Sequence, residues 1–292
     1  YEKKGVPENQ AQIVVCKNNF HGRTTTVISF SNDEGAKKNF GPFTDGFIQV
    51  AYSDEGALEE VFKANPNIAA FLVEPIQGEA GVFVPADGFL AKARALCDAH
   101  NVLMICDEIQ TGIARTGKLL ASCGNCTCPN RDCSETPEVK PDVLILGKAI
   151  SGGAYPVSAV LANKPIMEVI TPGSHGSTFG GNPVAAKVAM AALDVVKEER
   201  LAENAFHLGN LFRALMQEYI DKSNVVRLVC GKGLLNAIVM NESEESDTAW
   251  NICMGLREHG ILAKPPHGKI IRFAPPLVMT EAQLRECVAI IV

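Results

Sequence analysis

The chain contains continuous apolar runs that stop abruptly on polar residues or glycine: "AQIVVCKN" (11–18), "IAAFLVEPI" (68–76), "VLMICDE" (102–108), "PDVLILGK" (141–148) and "YPVSAVLAN" (155–163). A strand with one wet face alternates apolar and polar residues, whereas a strand buried on both faces does not. These runs therefore predict a mostly parallel sheet with helices on both faces, an α/β architecture. The segment "PADGFLAKARALCDAHN" (85–101) supplies one such helix, because Phe89, Leu90, Ala93 and Leu96 fall on one face at helical spacing.

Residues 182–220 carry one long helical pattern rich in Ala and Leu. Beyond it, "VVRLVCGKGLLNAIVM" (225–240) predicts two strands around a Gly-Lys-Gly turn, followed by a helix near 247–259 and short strands near 261–274. The expected organisation is a large sheet domain over 1–200 and a smaller α+β domain over 201–292. A polar, turn-rich loop over 122–138 interrupts the large domain.

With 292 residues, 47% of them hydrophobic, the chain can bury one large core or two. A net charge of −6 without a basic block argues against a nucleic-acid partner. No apolar run approaches the roughly 18 residues of a membrane span. The expectation is a soluble protein of the cytoplasm or mitochondrial matrix. Of ten cysteines, Cys16, Cys97, Cys106, Cys230, Cys253 and Cys287 lie among apolar neighbours and read as buried thiols.

In open α/β sheets, ligands sit at the carboxyl ends of the strands. Asp107 and Lys148 both end apolar runs. A lysine that holds an aldehyde and a carboxylate that pairs with a pyridine nitrogen suit pyridoxal 5′-phosphate. From the pattern alone, a strand-end lysine reaching for solvent and a turn-capping aspartate account for the two residues at least as well.

Six segments add a resemblance. "NNFHGRT" (18–24), "VEPIQGEAGV" (73–82), "LCDAHNVLMICDEIQTGIARTGK" (96–118), "PDVLILGKAISGGAYPVSAVL" (141–161), "HGSTFGGNPVA" (175–185) and "IIRFAPPL" (270–277) resemble the class III, or ω-amino-acid, aminotransferases of pyridoxal-phosphate fold type I. The resemblance implies that Lys148 carries the cofactor and shuttles the proton. It makes Asp107 the partner of the pyridine nitrogen, Gln110 the donor to the phenolic oxygen, and Phe20 the ring stacked on the pyridine. Ser177 and Thr178 become hydroxyls near the phosphate, with Thr178 reaching the site of a neighbouring copy, so a homodimer or higher homo-oligomer is implied. Arg272 takes an α-carboxylate, Arg23 the distal carboxylate of 2-oxoglutarate, and Glu79 is the acid that pairs with Arg272 when an ω-amine enters.

Within the family, "EPIQGEAG", "GKAISGGAYPVSAVL" and "AKPPHGKIIRFAPPL" look most like the members that use ornithine. The implied reaction moves the δ-amino group of L-ornithine to 2-oxoglutarate; N-acetylornithine or another ω-amine is the alternative. The family's phosphate-cradling glycine turn and its ornithine-contacting tyrosines have no counterpart here, and the chain opens on Tyr1, so part of a longer protein is expected.

Two signals compete with this reading. "GIARTGKL" (112–119) has the G-x-x-x-x-G-K spacing of a nucleotide-binding loop, with Leu119 where a hydroxyl should hold Mg²⁺. Cys123, Cys126, Cys128 and Cys133 could supply four thiolates to zinc, although an exposed loop that happens to carry thiols is the plainer reading. No catalytic metal is expected.

Overall fold

The structure, a computed structural model, describes residues 2–123 and 139–292, apart from the side chains of Cys123 and His267. The possible zinc site falls on the Cys123 thiol, Cys126, Cys128 and Cys133, all outside the described residues. The chain divides into two compact units. The first comprises Tyr1–Pro75, Pro85–Gln110 and Ser122–Ala192, and the second Ile76–Val84, Thr111–Ala121 and Leu193–Val292. They share the chain in alternating stretches, where the sequence pointed to a single boundary near residue 200.

In the first unit the strands are β1 (Gln12–Cys16), β2 (Phe47–Val50), β3 (Ile68–Val73), β4 (Leu103–Asp107), β5 (Val143–Leu146) and β6 (Ala159–Ala162). They form one sheet in the order β2-β1-β3-β4-β5-β6. β2 pairs parallel to β1, as do β1 with β3, β3 with β4 and β4 with β5. β6 runs antiparallel to β5, with Leu146 opposite Ala159. Only the short 3-10 helix Lys148–Ser151 lies between these two strands, too little for the crossover that a parallel pair needs.

The expected amphipathic helix runs over Phe89–Ala99, and Phe89, Leu90, Ala93 and Leu96 are all buried. They pack with Val14, Phe71, Val73, Met104 and Cys106 from β1, β3 and β4, and with Leu58 and Phe62 from the helix Glu55–Ala64. The helical pattern over 182–220 resolves into two helices, Pro183–Glu198 and Leu201–Ile220, separated where Arg200 adopts a left-handed backbone with φ of 53°.

The second unit is built on an antiparallel sheet of β7 (Val226–Lys232), β8 (Leu235–Met240), β9 (Lys264–His267) and β10 (Ile270–Phe273), ordered β7-β8-β10-β9. The helix Leu201–Ile220 lays Ala205, Leu208, Phe212 and Met216 into a core with Ile238, Met240 and Ile271. The helices Thr248–Glu258 and Glu281–Ile291 add Cys253, Leu256, Leu284 and Val288 to the same core. The last helix starts on a capping box in which Thr280 and Gln283 satisfy each other's backbone N–H groups. An α+β unit was expected here.

Candidate active site

Strands β1, β3, β4 and β5 are parallel neighbours, so their carboxyl ends lie along one edge of the sheet. Several of the expected site residues and their partners follow these strand ends. Phe20 and His21 follow β1, Glu74 follows β3, Asp107 closes β4, and Lys148 comes two residues after β5.

Asp107 is buried, and both of its carboxylate oxygens are engaged. Oδ1 accepts from the Ile109 N–H at 3.0 Å, and Oδ2 lies 2.7 Å from His21 Nδ1. The two side chains are 6% and 4% exposed. With the carboxylate as acceptor, the imidazole proton sits on Nδ1, leaving Nε2 buried and without a hydrogen-bond partner. Glu74, also buried, accepts from the Phe20 N–H at 2.9 Å and holds the start of the segment that carries His21.

Lys148 is exposed and takes a φ of 44°. A non-glycine residue in that region is uncommon, and such conformations persist where the surroundings enforce them, often at functional sites. Gly147 enables the approach of this end of β5 to β4, because an added Cβ would meet the Ile109 side chain at 3.3 Å. Lys148, Ser151, Pro156, Val157 and Ser158 line a depression of about 380 Å³.

The remaining expected residues of the first unit are less enclosed than Asp107. Gln110 and Phe20 are half-buried. Arg23 is exposed; its guanidinium lies 5.3 Å from the centre of the Phe20 ring and 3.8 Å from the Asp33 carboxylate. Ser177 and Thr178 are exposed, and the Ser177 hydroxyl accepts from the Gly180 N–H at 3.1 Å.

The second unit holds Glu79 and Arg272 together. Arg272 Nη1 donates to Glu79 Oε1 at 2.8 Å and to the Gly78 carbonyl at 3.1 Å. The side chains are 12% exposed for Arg272 and 20% for Glu79. Glu79 Oε2 accepts from Lys264 Nζ at 2.6 Å. Arg272 sits on β10 and Lys264 on β9, directly opposite in register.

The nucleotide-loop reading of 112–119 is overturned. A phosphate-binding lysine opens a helix; here the segment is a chain of turns, and the next element is the 3-10 helix Ala121–Cys123. Ile113 and Ala114 have φ of 53° and 72°, and the Arg115 guanidinium donates to the Leu234 and Pro275 carbonyls at 3.0 and 2.5 Å. The segment is a clamp on the second unit's sheet, and burial pulls the Arg115 guanidinium down to about 10.

The sequence signature of the aminotransferase class-III family covers residues 1–292. The chain belongs to that family. It is 55% identical over 291 residues to a mitochondrial ornithine aminotransferase of Drosophila ananassae, an alignment that takes in 100% of this chain and 63% of the fly protein. The chain thus spans less than two thirds of that relative's length. Among solved structures, it matches an ornithine aminotransferase from Toxoplasma gondii, crystallised with oxidised glutathione and with PLP at partial occupancy in its active site. That match has a TM-score of 0.90 and 47% identity, over 100% of this chain and 65% of the other. An acetylornithine aminotransferase from Elizabethkingia anophelis matches with a TM-score of 0.84 and 56% identity, over 100% and 67%. The fold is the fold type I of this class.

Two residues of this class III aminotransferase escaped the sequence reading. Glu74 and His21 each act on a partner 54 or 86 positions away. "NNFHGRT" and "VEPI" contain them, yet nothing in either segment alone marks the pairing, which sheet order creates.

Proposed function

We propose that this class III aminotransferase uses pyridoxal 5′-phosphate to transfer the δ-amino group of L-ornithine to 2-oxoglutarate, giving glutamate 5-semialdehyde and glutamate. The observation that carries the substrate assignment is the Glu79–Arg272 pair. A site that must accept an amine in one half-reaction and a carboxylate in the other needs an arginine whose charge can be masked, and a partly buried acid at 2.8 Å is such a mask. The names borne by the relatives support the same reading.

The residues fit the cofactor. A buried carboxylate at a strand end, steadied by His21 and the Ile109 N–H, is the negatively charged acceptor that a protonated pyridine nitrogen requires. Bound pyridoxal 5′-phosphate supplies an aldehyde and an electron-withdrawing ring that stabilises negative charge at the carbon losing its proton. Lys148 Nζ would hold the cofactor and, once freed, serve as the base and acid that carries the proton. Asp107 keeps a proton on the ring nitrogen, Gln110 donates to the ring oxygen, and Phe20 offers an aromatic face for stacking. Arg272 takes the α-carboxylate of the keto acid and Arg23 its distal carboxylate, for which the bidentate guanidinium geometry is suited. Ser177 and Thr178 serve the phosphate, Thr178 in a neighbouring copy. The exposed Val160, Leu161, Phe179, Val184 and Met190 support a homodimer that covers this part of the first unit. The mitochondrial location in the name of the Drosophila relative supports a mitochondrial one here.

The second reading replaces ornithine by N-acetylornithine and is favoured by the 56% identity to the Elizabethkingia protein. The deciding experiment compares kcat/KM for the two amines with 2-oxoglutarate as acceptor. Ornithine is expected to lead, and a preference for N-acetylornithine overturns the first assignment. Glu79→Ala is expected to slow the ornithine half-reaction by about 2–4 kcal/mol, the cost of truncating one partner of a desolvated charge pair, while the 2-oxoglutarate half-reaction survives. Equal slowing of both would make Glu79 a general support of the site.

A further inference from the structure

Glu79 carries two cations. Its Oε1 accepts from Arg272 at 2.8 Å and its Oε2 from Lys264 at 2.6 Å. The two cations differ in setting, with Arg272 only 12% exposed and Lys264 57% exposed. Antiparallel register partners point their side chains to the same face, so Lys264 and Arg272 flank the one carboxylate from neighbouring strands. An acid whose sole task was to neutralise Arg272 would need one cation. This trio retains a net positive charge, and it makes Lys264 compete with Arg272 for the same acid.

We propose that Lys264 is a positioning residue of the Glu79 switch: it retains Glu79 when Arg272 turns to a substrate carboxylate, and so favours the dicarboxylate half-reaction over the ornithine one. The proposal rests on the roles assigned above to Glu79 and Arg272. Two consequences of the geometry point the same way. The ammonium draws the carboxylate's charge toward Oε2, which weakens the hold of Oε1 on Arg272. Its own positive charge beside Arg272 also raises the attraction of the site for an incoming anion. Because Lys264 is largely in water, solvent screens it, and the effect is one of bias between two substrates rather than of turnover as a whole.

The test uses Lys264→Met, with Lys264→Arg as the charge-preserving control, in single-turnover half-reactions with ornithine and with 2-oxoglutarate. Binding of glutarate, a dicarboxylate with no reacting group, is measured by calorimetry as a readout separate from turnover. In Lys264→Met the KM for 2-oxoglutarate and the Kd for glutarate are expected to rise about 3- to 5-fold, the scale of an exposed ion pair. The KM for ornithine is expected not to rise, and Lys264→Arg should restore the dicarboxylate values. A higher KM for ornithine in Lys264→Met would mean that Lys264 presses Glu79 onto Arg272, the opposite role, and would overturn the proposal. So would equal shifts with both substrates, or unchanged glutarate binding. A wild-type protein that transaminates neither substrate overturns the underlying reading, and this proposal with it, before any variant is made.

Discussion

At the scale of single residues, the contact that most repays testing is His21 with Asp107. The carboxylate is buried, and a hydrogen bond to a charged group is worth about 1.5–3 kcal/mol when its partner is removed from a buried site. His21→Phe keeps a planar ring and deletes Nδ1, so kcat is expected to fall by roughly 10- to 100-fold, the rate equivalent of that energy. Because His21 acts through Asp107, its loss should matter far less once Asp107 is already Asn. A double-mutant cycle on kcat, with the absorbance of bound pyridoxal phosphate followed in each variant, checks this. Additive losses would detach His21 from the carboxylate. Asp107 and Lys148 were legible in the sequence because each interrupts an apolar run at its carboxyl end. His21 was not, since a lone histidine after a strand has many ordinary uses and only the placing of β1 two strands from β4 brings it to the acid.

The same contrast holds for whole elements. Runs buried on both faces declared themselves, and β1, β3, β4 and β5 fall within the segments read as strands. The short edge strand β2, with mostly half-buried residues, gave no such run. The direction of β6 was hidden because direction depends on the connection, and the long helical pattern concealed its break at Arg200, where no glycine or proline marks the turn. In the second unit, backbone proximity decides what side chains are possible. The helix Leu201–Ile220 passes so close to the β7–β8 turn that a Cβ on Gly209 would lie 1.9 Å from the Gly233 carbonyl oxygen. Gly233, at φ of 52°, is in turn pressed against the backbone of Thr116 and Gly117 on the clamp segment. No side chain can give way, since the obstacle is main chain. Gly209→Ala is therefore expected to destabilise the protein by about 3 kcal/mol, the upper range for overpacking, despite the better helix propensity of alanine. Urea unfolding of the variant measures this; a midpoint at or above that of the wild type would show that the helix can shift away.

Across the molecule, the distribution of thiols ties stability to alkaline pH. Cys16, Cys97 and Cys106 are buried in the core of the first unit. Burial pushes the Cys16 and Cys97 thiols up to about 12 and holds Cys106 well above its ordinary value; the nearby Glu74 adds to the effect on Cys16 and Glu108 to that on Cys106. Tyr52, whose hydroxyl donates to the Glu74 and Pro75 carbonyls at 3.1 and 2.9 Å, is raised by burial in the same way. An unfolded thiol ionises near its ordinary value of about 8.5–9, while the folded one stays neutral. The unfolded state therefore holds fewer protons above that pH, and stability falls as pH rises. Below about pH 8 the contribution is fully present; from there to about pH 12 it is progressively lost. At about pH 10 each of these thiols should cost roughly 1–2 kcal/mol, enough for three of them to remove a large part of a typical folding free energy. Urea midpoints followed by circular dichroism at about pH 7.5 and about pH 10 test this, with Cys97→Ala in parallel. The wild-type midpoint is expected to drop steeply over that interval, and the drop in Cys97→Ala to be smaller even though the variant starts lower. An equal drop in both would assign the alkaline loss to groups other than this thiol, and a pH-independent midpoint would mean that the buried thiols ionise as readily in the folded chain as in the unfolded one.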